Sequence, residues 1–117
     1  MSKKIMIVDD DPNIISYLTD FFTDNGYHTC AAKNVTEAFT IAQEEKPDLI
    51  TLDLEMPGEW GPRFFRKLSQ EDELKNTPVI VISGLTGNQY AIQKAVASIS
   101  KPFDRDELLK IVKDTIG

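Results

Sequence analysis

Three short runs, two wholly apolar and one interrupted only by Thr51, each stopping at a polar residue, constrain this chain more than any other feature. Ile5, Met6, Ile7 and Val8 stop at Asp9, Leu49 to Leu52 stop at Asp53, and Val79, Ile80, Val81 and Ile82 stop at Ser83. A strand with one wet face alternates apolar and polar residues. An unbroken run instead requires cover on both faces, as in a parallel sheet flanked by helices. Parallel neighbours must be joined by crossovers of about a dozen residues or more, so the segments between the runs have to supply helices.

They do. Pro12 fits the first position of a helix with Asp11 as its N-cap, and Ile14, Ile15, Leu18, Phe21 and Phe22 recur at helical spacing until Gly26. Tyr27 to Ala31 reads as a short strand. Asn34 with Glu37 forms a capping-box pattern that opens a helix through Glu45, closed by Lys46 and Pro47. After Asp53 comes a loop with Pro57, Gly58, Gly61 and Pro62, and Pro62 can start a helix carrying Phe64, Phe65 and Leu68. Ala91, Ile92, Ala95 and Val96 predict a further helix within the stretch that begins at Thr86. Ser98, Ile99 and Ser100 are polar and short enough to suit only an edge strand. Asp104 and Glu107 cap a last helix whose inner face holds Leu108, Leu109, Ile111, Val112 and Ile116. No linker or repeat interrupts this alternation, which predicts one domain over residues 1–117. The expected fold class is α/β, a flavodoxin-like (βα)5 arrangement: a five-stranded parallel sheet in the order 2-1-3-4-5, right-handed crossovers and helices on both faces.

Open sheets of this kind bind ligands outside the carboxyl ends of their strands, where the strand order reverses. The residues expected at that edge are Asp9 and Asp10 after the first strand, Asp53 after the third, Ser83 after the fourth and Lys101 after the fifth. The first and third strands would be neighbours about 4.8 Å apart, so three carboxylates share one crevice. Two such charges about 5 Å apart repel by about 3 kcal/mol at an effective dielectric of about 20, and the cluster therefore calls for a cation or a retained proton. Magnesium fits best, because it takes oxygen ligands and commonly binds through one or two carboxylates together with a phosphate. A carboxylate in such a cluster can also attack phosphorus to give an acyl phosphate. Ser83 could then donate a hydroxyl to one phosphoryl oxygen, and Lys101 could pair with another.

These residues, taken in order, resemble a response-regulator receiver domain over essentially the whole chain. The matching pieces are Val8, Asp9 and Asp10; Leu52, Asp53, Leu54, Glu55, Met56, Pro57 and Gly58; Ser83; and Lys101, Pro102 and Phe103. The resemblance implies that Asp53 is the phosphoacceptor and that Asp10, Asp53 and the backbone carbonyl of Glu55 ligate magnesium, with Asp9 acting through a bound water. It implies that Ser83 and Lys101 hold the phosphoryl group and that the bond before Pro102 is cis. Such a module takes phosphate from a histidine kinase or a phosphotransfer protein and signals to a downstream effector protein or output domain. It catalyses its own modification and is not a turnover enzyme. No effector segment follows the last helix, so a stand-alone or excised receiver is expected.

Three positions depart from the common receiver pattern. Trp60 stands where many members carry an acid, Gly84 where alanine is frequent, and Ser98 where a tyrosine or phenylalanine usually acts as the output switch. The chemistry is expected to be intact, while the route from phosphate to partner is open. A receiver that never becomes phosphorylated would usually lack an acid or the acceptor, and this chain has both. An aspartate-nucleophile phosphatase would want an acid two residues after its nucleophile, where Glu55 lies, together with a substrate cap. A flavin module would need a Ser/Thr/Gly-rich loop after the first strand.

The remaining features read as ordinary. Asp11 precedes a proline and is assigned to capping, outside the metal site. His28, the sole histidine, suits a solvated or hydrogen-bond-satisfied place on the second strand, and Cys30, the sole cysteine, a small buried thiol. Trp60 is evenly placed between a packing role and a partner contact. A net charge of −6 over 117 residues argues against direct nucleic-acid binding. No apolar run approaches the ~20 residues that span a bilayer, so a cytoplasmic location without membrane contact is expected.

Overall fold

The structure is a computed structural model, and it describes residues 3–53, 61–72, 74–83, 97–100 and 104–117. Five strands form one sheet: β1 (Lys4–Val8), β2 (His28–Ala32), β3 (Leu49–Leu52), β4 (Val79–Ser83) and β5 (Ala97–Ser100). Their order is β2-β1-β3-β4-β5, and every neighbouring pair is parallel. Four helices are described: α1 (Pro12–Asp24), α2 (Val35–Glu45), α3 (Gly61–Gln70) and α4 (Arg105–Ile116). The helix expected between β4 and β5 lies outside the described residues, as does the peptide bond before Pro102.

Alternation along the strands sorts the core into two layers, one on each face of the sheet. Ile5 and Ile7 of β1 join Leu18 and Phe22 of α1 and Leu108 and Val112 of α4. Met6 and Val8, one residue out of phase, join Ala38 and Ala42 of α2 and Leu68 of α3. All four β1 residues from Ile5 to Val8 are buried, which is why this run carries no polar alternation.

The expected caps are present. Asp11 accepts from the Asn13 N–H, Asn34 from the Glu37 N–H, and Asp104 from the N–H groups of Asp106 and Glu107. The second strand begins one residue later than its composition suggests, at His28. The Tyr27 N–H is committed to the Phe22 carbonyl, 3.0 Å away, where the chain leaves α1. Gly26 makes that exit possible with a φ of 91°, and a Cβ there would meet nothing within 4 Å. The cost of a side chain at this position is thus purely conformational. Gly26→Ala is expected to lose about 1 kcal/mol in urea denaturation, and an unchanged midpoint would show that the turn relaxes without cost.

At the amino edge of the sheet, Lys4 and Asp48 clasp β1 to the start of β3. The Lys4 N–H donates to Asp48 Oδ2, and the Asp48 N–H donates to the Lys4 carbonyl, both at 2.8 Å. Lys4 Nζ also reaches Glu45 Oε1 at 2.8 Å, which raises the lysine above its usual pKa.

Candidate functional site

The opposite edge carries the carboxyl ends of the strands. Val8 and Leu52 are partners in the β1–β3 register, so the next residues, Asp9 and Asp53, leave the sheet side by side. Their backbones are pinned there. The Asp53 N–H donates to the Val8 carbonyl at 3.0 Å, and the Asp9 N–H donates to the Ala32 carbonyl of β2 at 3.2 Å. Both acids are 3% exposed, whereas Asp10 faces solvent.

Carboxylate oxygens of Asp9, Asp10 and Asp53 lie within 4.8 Å of one another. Like charges that close repel by about 3 kcal/mol per pair at an effective dielectric of about 20. The donor set is all oxygen, with two anchored acids and one that opens to water. That suits a hard divalent cation which keeps part of its hydration shell, the preference of magnesium.

The N-terminus of α1 borders this cluster. Pro12 occupies its first turn, where the missing N–H costs nothing, and the Asp11 side chain accepts from the Asn13 N–H at 2.9 Å. The Asp11 N–H in turn donates to Asp9 Oδ1, also at 2.9 Å. Sequence reasoning assigned Asp11 to capping and found that role, but it missed this second bond. The signal available was two acids at i and i+2 directly before a proline.

The β3–β4 pairing carries the end of β4, at Ser83, to the same edge as Asp53. Ser98 lies in β5 opposite Val81, and Ser100 opposite Ser83. Lys101, Glu55 and Trp60 lie outside the described residues.

Away from this edge, His28 is exposed at the start of β2, and Cys30 is half-buried on that edge strand, not fully enclosed as its size suggests. Burial, helped by Glu45, pushes its thiol up to about 11, which leaves little thiolate at neutral pH. Among the described residues, no helix is long and apolar enough to cross a membrane.

Comparison with known proteins agrees with this architecture. The family model for the response regulator receiver domain matches residues 5–113. Sporulation initiation phosphotransferase F of Bacillus subtilis is 36% identical over 118 residues, covering 97% of this chain and 93% of that protein. The polar-differentiation response regulator DivK of Brucella anthropi is 31% identical, covering 100% of this chain and 98% of its own. The chemotaxis response regulator CheY4 of Vibrio cholerae superposes with a TM-score of 0.88 at 27% identity, over 98% of this chain and 99% of the other. Since the family match runs from within the first strand into the last helix and the sheet has the flavodoxin-like order, the chain belongs to the response regulator receiver domains and is a receiver of two-component signal transduction.

Proposed function

We propose that Asp53 accepts the phosphoryl group and that the acidic cluster around it holds magnesium. The observation that supports this most directly is the placement of Asp53. It sits one residue past a central strand, 3% exposed, with its carboxylate within 4.8 Å of those of Asp9 and Asp10. Asp10, Asp53 and the backbone carbonyl of Glu55 are assigned as direct ligands, and Asp9 as a ligand through water. The ion, when bound, supplies positive charge to the phosphoryl oxygens and to the carboxylates that face them. Ser83, the last residue of β4, and Lys101, next in sequence after Ser100, are assigned to the remaining phosphoryl oxygens.

In the transfer, an Asp53 oxygen approaches phosphorus in line with the departing nitrogen of a phosphohistidine. The O–P bond forms as the N–P bond breaks, and the electron pair leaves with the imidazole. The donor is a histidine kinase or a phosphotransfer protein. The product changes the binding of a downstream effector protein or output domain, and all of this takes place in the cytoplasm, without nucleic acid or membrane. Catalysis is confined to the domain's own phosphorylation and dephosphorylation.

The test is chemical mapping. After incubation with acetyl phosphate and magnesium chloride, hydroxylamine should convert the acyl phosphate to a hydroxamate at residue 53, and prior chelation of the metal should suppress it. A hydroxamate at Asp9, Asp10 or Glu55 in its place would overturn the assignment.

A further inference from the structure

We infer that Asp11 is a positioning residue for the metal site, acting through Asp9. This rests on the reading that the Asp9, Asp10 and Asp53 cluster binds magnesium.

Three bonds meet at Asp11. Its side-chain oxygen accepts from the Asn13 N–H at 2.9 Å, its carbonyl accepts from the Ile15 N–H at 3.1 Å, and its own N–H donates to Asp9 Oδ1 at 2.9 Å. The first two fix the peptide of Asp11 to the opening turn of α1. That turn is anchored in turn, because Ile14 and Ile15 pack against the core layer holding Ile5, Ile7 and Phe22. The third bond transmits this rigidity to a carboxylate. An aspartate has two side-chain torsions to fix, and a backbone donor held by a capped helix fixes the orientation of one oxygen. The cap thus helps set the geometry that Asp9 presents to a cation.

Asp11 also carries a charge of its own near the cluster, and a cation would feel that charge whether or not the cap mattered. The two contributions separate chemically. Asparagine keeps an acceptor oxygen for the Asn13 N–H and loses the charge, whereas alanine loses both.

Magnesium binding to the full chain should be measured by titration calorimetry at an ionic strength high enough to screen exposed charges, well below the melting temperature. Asp11→Asn is expected to bind within about twofold of the parent, and Asp11→Ala about five- to tenfold more weakly. Asn34→Ala removes the equivalent cap from α2 and serves as a stability control. It should melt lower, as Asp11→Ala does, yet bind magnesium as the parent does. Equal affinities for Asp11→Asn and Asp11→Ala would overturn the inference, since charge alone would then explain Asp11. So would weakened binding in Asn34→Ala, which would trace the loss to general loosening. Failure of the underlying reading looks different: Asp10→Asn would then bind magnesium as tightly as the parent.

Discussion

In metal-free buffer, Asp10→Asn is expected to melt about 4 °C above the parent chain, and in saturating magnesium the order should reverse. The sign follows from the cluster. Asp10 lies within 4.8 Å of two buried acids, so neutralising it removes the repulsion with Asp53, which only the folded state suffers, and the part of the repulsion with its neighbour Asp9 that burial adds. Its exposure allows water to screen much of the nominal 3 kcal/mol per pair, leaving about 1 kcal/mol, which for a domain of this size shifts the midpoint by about 4 °C. The same carboxylate is a proposed direct ligand, so magnesium affinity should fall at least about tenfold. The ion's contribution to stability grows with the logarithm of its occupancy, so it favours the parent chain increasingly as it is added. Calorimetric melting with and without the metal gives both results. An unchanged magnesium affinity would mean that another group occupies this coordination position.

The largest loss of stability is expected at Phe22. Its ring is fully buried between β1 and α1, edge-on to Tyr27 at 6.3 Å and tilted against Phe21 at 5.4 Å. Truncation forfeits both the transfer free energy of the ring and the contacts lining the space it leaves. Phe22→Ala should therefore cost about 3–5 kcal/mol. Urea denaturation followed by circular dichroism measures this directly. A loss below about 1 kcal/mol would mean that Leu18 and Tyr27 collapse into the vacated volume.

The sheet was legible because its central strands are covered on both faces and so carry apolar runs, broken only at the buried Thr51 of β3. The caps were legible because Asp11, Asn34 and Asp104 each stand directly before a helical pattern. The start of β2 was displaced by one residue because Tyr27 looks like a strand residue by composition but uses its N–H to close α1. Cys30 was expected to be enclosed, yet it sits on an edge strand, where composition does not reveal which side lacks a neighbour. The acidic cluster followed from strand order, since only adjacency of β1 and β3 brings residues 9 and 53 together. The bond from Asp11 to Asp9 did not follow, because a side-chain rotamer leaves no mark on hydrophobic periodicity.

The clasp between Lys4 and Asp48 spans 44 positions of sequence. β1 can pair with β2 after a single crossover, but it meets β3 only when α1, β2 and α2 have been laid down between them. Asp9 therefore does not meet Asp53 until residue 53 has been synthesised and β3 has docked. An ion that requires both acids can do nothing for the early chain. It would leave the first collapse unaccelerated and act instead on the finished domain, lowering the rate at which the β1–β3 seam reopens.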